Sequence, residues 1–204
     1  MEKLIDGGGK NSPAEYDRIY RARKVVGIDW FDEKRWKELI KNFQGGKLVD
    51  LGCLDSLVPV YAKRRFPNAE VWGLDYSLEA IGDQVLNPWG ITYIVGNVYD
   101  TKFPSNYFDY AVAGELIEHL EYPERFLAEA LRILKKRGIL AISTPLEETG
   151  IGEVDNERHL WSYSGRDLKN LLSPYGSVRI RVLRGNILPY RYHFPSLIAF
   201  CKKK

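Results

Sequence analysis

Two hydrophobic periods take turns along this chain. Short apolar runs of strand length lie at 47–51, 70–74, 92–95, 107–113 and 138–143. Between them come stretches with apolar residues at three- and four-residue spacing, the period of a helix with one buried face. Trp36, Leu39, Ile40 and Phe43 form such a stripe over roughly 33–42, with Asp29 and Asp32 as candidate N-caps and Gly45-Gly46 as the stop. Further helices are predicted over 57–65 and 78–86. Another starts at Pro123, a favourable first position, with Phe126, Leu127, Ala130, Leu131 and Leu134 on one face and Gly138 closing it. Upstream, 14–24 is a candidate helix with Tyr16, Ile19, Tyr20 and Arg23 on one side, after a polar start containing Gly7-Gly8-Gly9.

Strands that alternate with helices imply right-handed crossovers and a mostly parallel sheet covered on both faces. The end of the chain changes pattern. Ser164 and Asp167 have capping-box spacing for a short helix to Leu172. The runs 178–183 and 197–201 then follow with no long helix between them, so they pair antiparallel at the sheet edge. The expected fold is α/β, Rossmann-like and doubly wound: a mostly parallel seven-stranded sheet with an antiparallel edge strand. Residues 1–46 form a helical extension, a possible lid, and 47–204 the main domain.

Composition narrows the class. At 204 residues, 45% hydrophobic and 28% charged, the chain has the size and make-up of one globular domain. Two cysteines, Cys53 and Cys201, supply neither a disulfide framework nor a zinc ribbon. The start lacks a secretion signal and no apolar run is long enough to span a bilayer, so a cytoplasmic protein without a membrane partner is expected. The net charge of +3 suggests no polyanion partner, but it hides a split. After Asp167 there are eight basic residues and no acidic one, while 1–167 carries 22 basic against 27 acidic residues.

In an open α/β sheet, ligands bind beyond the carboxyl ends of the strands, where strand order reverses. After the first strand come Asp50, Leu51, Gly52, Cys53 and Leu54. Leucines at 54 and 57 rule out the G-x-G-x-x-G dinucleotide fingerprint, and no phosphate-binding G-x-x-x-x-G-K-[S/T] loop exists. The second strand ends at Asp75, 25 positions after Asp50, where a carboxylate can accept both hydroxyls of a ribose. Alternatively Asp75 caps the next helix, a task Ser77 could also perform. Asn97 and the amides around it can hold an adenine, and the fourth strand opens onto Glu115, Glu118 and His119.

These segments resemble class I S-adenosylmethionine-dependent methyltransferases over about 47–201. VDLGC (49–53) is similar to the first motif, GLD (73–75) to the ribose loop and GNVYD (96–100) to the adenine loop. FDYAVAGELIEHL (108–120) is similar to the fourth motif, and 123–145 to the helix and strand that follow. The closest subgroup acts on small molecules and includes ubiquinone-biosynthesis O-methyltransferases; its E-x-x-E-H and H-x-x-x-x-[S/T] patterns match Glu115 to His119 and His159 to Ser164. The resemblance implies S-adenosyl-L-methionine as cofactor and places Asp50, Gly52, Cys53, Asp75, Tyr76, Asn97, Val98 and Glu115 around it. Leu54 and Ser56 depart from it, standing where the family has glycines.

The expected activity is methyl transfer to a small-molecule acceptor, at oxygen, by a monomer or homodimer. His119 and His159 are the candidate bases. No metal is assigned, although Glu115, Glu118, His119 and His159 together have the ligand types for a divalent ion, and small-RNA 2′-O-methyltransferases use a similar set. In the alternative, Glu115 touches the cofactor while Glu118 and His119 cap and solvate a helix start. Two other functions remain open: metal-assisted RNA 2′-O-methylation, and a catalytically inactive binding or regulatory protein, an idea that Leu54 and Ser56 motivate. The helix over 14–24 is either a lid or a surface helix. Aromatic residues Trp161, Tyr163, Tyr190, Tyr192, His193 and Phe194 line an acceptor site or pack a core or dimer contact.

Overall fold

The alternation of periods becomes an alternation of elements. The computed structural model describes residues 2–3, 12, 14–15, 17–18, 30–54, 56–82, 87–146, 159–184 and 195–204. In chain order these form β1 (Glu2–Lys3), α1 (Trp30–Leu39), β2 (Lys47–Leu51), α2 (Val58–Arg65), β3 (Glu70–Asp75), α3 (Leu78–Gly82) and β4 (Thr92–Val95). Then follow β5 (Phe108–Gly114), a 3₁₀ turn (Ile117–His119), α4 (Pro123–Ile133), β6 (Leu134–Pro145), β7 (Trp161–Ser162), α5 (Gly165–Leu172), β8 (Gly176–Leu183) and β9 (Ser196–Lys203).

The main sheet has seven strands in the order β4-β3-β2-β5-β6-β9-β8. The first five are parallel, and the expected antiparallel pair closes the edge, with β9 running against both β6 and β8. Strand order reverses between β2 and β5, and this switch point sets where a ligand can enter.

Each central strand sends alternate residues to opposite cores, as a sheet covered on both sides requires. Val49 and Leu51 of β2, Ala111 and Ala113 of β5 and Leu197 and Ala199 of β9 face one cluster with Phe126 and Leu127 of α4 and Leu168 and Leu172 of α5. Leu48, Tyr110, Val112, Ile198 and Phe200 face the other, with Leu39 of α1 and Val58 and Ala62 of α2. The predicted stripes therefore pack as expected. Leu39, Ile40 and Phe43 are buried, as are Phe126, Leu127, Ala130, Leu131 and Leu134. Pro123 opens α4 and is itself buried. The capping box on α5 is complete: Asp167 N–H donates to Ser164 Oγ, and Asp167 Oδ2 accepts from Ser164 N–H.

Three local expectations change. α1 begins at Trp30, so Asp32 lies within its first turn rather than at its cap, and Asp29 lies outside the described residues. Gly138 does not close α4. The helix ends at Ile133 and runs directly into β6, where a register shift opposite Phe108 and Tyr110 absorbs the extra residues. The polar start contributes a strand, because Glu2 and Lys3 pair antiparallel with Ser162 and Trp161. Of the expected helix over 14–24, residues 14–15 and 17–18 are helical, while Tyr16, Ile19, Tyr20 and Arg23 lie outside the described residues. No described helix is long and apolar enough to cross a membrane.

Candidate functional site

The carboxyl ends of β2, β3, β4 and β5 converge on the switch point. β2 ends in a tight turn in which Gly52 and Cys53 both donate their N–H to the Leu74 carbonyl, at 2.8 and 3.1 Å. Gly52 has φ +71°, and a Cβ there would sit 2.8 Å from Leu116 Cδ1, so glycine is required on both counts. Leu54 also adopts a positive φ, 34°, in a loop where glycine is the ordinary choice. Cys53 is buried, its sulfur lying against Gly73. Asp50 is only 2% exposed, and its Oδ2 has no hydrogen-bond partner among the described residues. Burial pushes its carboxyl up to about 7, with the Asp75 charge adding to the shift against a lowering contribution from Ser56.

Asp75 ends β3 and is 4% exposed. Its Oδ2 accepts the Leu54 N–H and its Oδ1 the Ser77 N–H, both at 2.9 Å. Burial raises its pKa despite bonds from the Ser77, Leu54 and Tyr76 amides. The capping role that the sequence left open between Asp75 and Ser77 falls to Ser77. Ser77 caps α3, accepting the Ala80 N–H at 3.2 Å, and Asp75 holds the first-strand loop. Three amide bonds on two oxygens leave one acceptor position for a ligand hydroxyl. Asn97 is exposed and fixes its own loop, its Oδ1 accepting the Tyr99 N–H at 2.8 Å, while Val98 packs half-buried against the core. That loop is tied to β3 by the Gly96 N–H, which donates to the Asp75 carbonyl at 2.7 Å.

Beyond β5 the chain turns sharply at Glu115, whose φ is 51°. The Glu115 N–H donates to the Ser143 carbonyl at 3.0 Å and contacts Ser143 Oγ at 3.2 Å. Its Oε2 faces Arg35 Nη1 of α1 at 3.7 Å, and its Oε1 is buried without a hydrogen bond among the described residues. Glu118 does not solvate a helix start. It is 1% exposed, and burial with the neighbouring Glu115 charge raises its pKa, although Thr144 and Arg35 lower it. The His119 and His159 rings meet edge to face with centroids 4.9 Å apart. The segment carrying His159 is clamped to the 3₁₀ turn. Leu160 N–H donates to the Glu118 carbonyl, and Trp161 Nε1 donates to the Leu120 carbonyl, both at 2.7 Å.

The site therefore gathers Gly52, Cys53, Asp75, Tyr76, Asn97, Val98 and Glu115 at adjacent strand ends, with Asp50 buried in β2 and the two histidines beside Glu118. A fixed carboxylate at the end of β3, the side-chain-free Gly52 and the orphaned Glu115 Oε1 fit a nucleoside that carries a cationic amino-acid tail. Sequence reasoning missed Arg35 and Asp17. Asp17 Oδ1 accepts from Ser77 Oγ at 2.6 Å and from Glu79 N–H at 3.3 Å. Neither contact has a local signal, because both join segments dozens of residues apart. Of the aromatic group, Tyr163 is buried in the core and Trp161 is half-buried, while Tyr190, Tyr192, His193 and Phe194 lie outside the described residues. The basic tail places Arg179 and Arg181 on β8, the sheet edge remote from this site.

A family model described as a methyltransferase domain matches residues 49–142. Among curated proteins, the chain is 33% identical over 110 residues to the mitochondrial ubiquinone biosynthesis O-methyltransferase of Schizosaccharomyces pombe, covering 50% of this chain and 39% of that protein. It is 29% identical over 128 residues to the demethylmenaquinone methyltransferase of Thermotoga maritima, covering 63% and 56%. The chain thus spans about half the length of these relatives or less. Among solved structures, the 1,6-didemethyltoxoflavin-N1-methyltransferase of Burkholderia thailandensis, with S-adenosylhomocysteine bound, superposes with a TM-score of 0.75 at 14% identity, covering 100% of this chain and 92% of that one. A methyltransferase from Aquifex aeolicus gives 0.64 at 20% identity, covering 93% and 98%. At such identities the likeness shows the fold. Motif order and strand order agree with the domain match, so residues 49–142 are similar to a methyltransferase domain on a Rossmann-like sheet.

Proposed function

We propose that this chain transfers a methyl group from S-adenosylmethionine to a small-molecule acceptor, at oxygen. The observation that carries this reading is the pair His119 and His159, held edge to face beside the switch point where the cofactor-type strand ends converge. Asp75 would hold the ribose, and Asn97 and Val98 the adenine. Gly52 lets the cofactor approach the backbone, with Cys53 and Tyr76 walling it and Asp50 supporting the loop from below. Glu115 faces the amino-acid end. The cofactor supplies an activated methyl group on sulfur. The protein's part is to orient the acceptor and exclude water, and an imidazole of His119 or His159 takes the proton from the acceptor hydroxyl.

Two described residues of the N-terminal segment, Asp17 and Arg35, would flank this site. Asp17 reaches Ser77 in the ribose loop and Arg35 reaches Glu115, so the extension touches both ends of the proposed cofactor position. The relatives named for quinone biosynthesis support phenolic quinols as the first acceptors to try. The test is incubation with methyl-labelled S-adenosylmethionine and a panel of phenols and quinols, with product linkage read by mass spectrometry and NMR. The expected product is an O-methyl ether, reduced at least tenfold in His119→Ala or His159→Ala. A C-methyl product, or turnover indifferent to both histidines, overturns the oxygen assignment.

A further inference from the structure

The basic excess after Asp167 has no part in the proposed methyl transfer, yet the sheet joins it to a second basic run. Lys135, Lys136 and Arg137 lie at the start of β6, and Lys202, Lys203 and Lys204 lie at the end of β9. Antiparallel pairing of Ile139 with Lys202 sets the two triplets side by side at the amino ends of the parallel strands. This is the end of the sheet opposite the candidate site. The helices α2 and α5 also finish on that side, with Arg64, Arg65 and Lys169 exposed.

Nearby carboxylates do not neutralise this face. Asp109 is taken by Lys135 at 2.7 Å and Glu70 by Lys47 at 2.9 Å. The Lys203 and Lys204 Nζ atoms donate to backbone carbonyls, of Leu134 at 2.7 Å and Pro174 at 2.9 Å. Lys136, Arg137 and Lys202 are exposed and make no ion pair among the described residues. Arg137 holds a φ of 66°, where glycine is the ordinary choice, so the turn keeps a cation at its tip at a conformational cost. The other end of the sheet gathers Asp75, Glu115 and Glu118. Neither net charge nor an apolar run, the grounds for expecting no membrane partner, registers such a split.

We propose that the amino-end face docks peripherally on an anionic lipid bilayer. Seven strands about 4.8 Å apart make it roughly 30 Å wide, a breadth that matches a plane of charge rather than a single phosphate. Five of the six cations in the two triplets are lysines, hydrated point charges that respond to the field of a headgroup layer without forked, base-reading geometry. Trp89, 42% exposed, lies in the turn that leads into β4 on the same end. An indole beside lysines is the combination that settles at headgroup level. Docked in this way, the chain turns the carboxyl-end site toward water, so the contact tethers the protein and leaves the site open.

The test is co-sedimentation of the full chain with vesicles of phosphatidylcholine, alone or with about 30% phosphatidylglycerol, at about 0.1 M and about 0.5 M salt. At the lower salt, binding to the anionic vesicles should exceed binding to the neutral ones at least tenfold, and at the higher salt the difference should vanish. The triple variant Lys136→Gln, Arg137→Gln, Lys202→Gln should weaken anionic binding at least tenfold. A second triple, Arg18→Gln, Arg125→Gln, Arg166→Gln, removes the same charge from the opposite end and should change it by less than about threefold. The vesicle and salt comparison uses the wild type alone, so it decides the matter even if a variant misfolds. Equal binding to both vesicle types, or equal losses in the two folded triple variants, overturns the proposal. Tighter binding to a duplex RNA or to polyglutamate than to the anionic vesicles at the same salt assigns the face to another polyanion and also overturns it. No methyl transfer is measured, so the result is independent of whether the chain methylates an acceptor.

Discussion

The backbone N–H of Leu54 donates to Asp75 Oδ2 at 2.9 Å, tying the loop after β2 to the end of β3. Leu54 sits at a positive φ of 34°, which costs a residue with a Cβ on the order of 1 kcal/mol. The bond to Asp75 holds the loop in that strained shape. Asp75→Asn retains the shape of the side chain but turns one acceptor oxygen into a donor. Hydrogen exchange at the Leu54 or Ser77 amide should then accelerate at least tenfold, with little change at the Leu74 amide in β3. Uniform acceleration along β3 would show that Asp75 supports the strand rather than the loop.

Gly73 carries the packing beneath that loop. A Cβ at this position would lie 2.5 and 2.6 Å from two carbons of the Tyr93 ring and 2.9 Å from Cys53 Sγ. Gly73→Ala should therefore destabilise the chain by about 1–3 kcal/mol, read by urea denaturation. In a double-mutant cycle, Tyr93→Ala should recover part of that loss, because it removes the ring that the methyl group strikes. Strictly additive losses would contradict the contact.

An acid-sensitive clamp joins α4 to the loop after β4. Glu129 accepts the Thr101 N–H at 2.8 Å and Thr101 Oγ at 2.6 Å, and Arg132 donates to both its oxygens at 2.6 and 2.8 Å. The Arg132 guanidinium, ahead of the Thr101 bonds, pulls the Glu129 carboxyl down to about 2. A lowered carboxylate pKa stabilises the fold above its unfolded value, and the contribution is lost as pH falls through the folded one. The melting temperature should thus drop between about pH 4.5 and pH 2 in the wild type. Glu129→Gln should be less stable at pH 7 by about 2 kcal/mol and should show a shallower acid arm.

Asp50 gives the opposite sign. Its carboxyl is raised to about 7 by burial, so the neutral form suits the fold and stability declines as pH climbs from about 4 through 7. Asp50→Asn removes that titration. The variant should be more stable than wild type at pH 8, by on the order of 2 kcal/mol, with the advantage shrinking toward pH 4. Denaturant midpoints at the two pH values check this, and equal differences at both would contradict a buried ionising carboxylate.

Most of the fold was legible in the sequence because its elements are marked by local periodicity. The strands at 47–51 and 92–95 match residue for residue, and the Ser164–Asp167 box forms as its spacing implies. The departures have a common physical cause. Glu2–Lys3 is too short to have a period, and its pairing with β7 is decided by distant chain. Gly138 resembles a helix stop, yet a strand running beside β5 gains ladder bonds from Leu134 onward. At the site, the sequence supplied Asp75, Glu115 and the two histidines, since each follows a strand. It could not show that Glu118 is buried, that Ser77 does the capping, or that Arg35 and Asp17 reach in from the N-terminal segment, because those facts depend on packing.

On the proposed function, these strand ends hold S-adenosylmethionine despite Leu54 and Ser56. Calorimetric titration of the full chain with S-adenosylmethionine measures it most directly. One site per chain is expected, with a dissociation constant in the micromolar range and at least tenfold weaker binding in Asp75→Ala. No heat of binding at about 1 mM cofactor, from a chain that melts cooperatively, would contradict it and leave a methyltransferase fold without its cofactor.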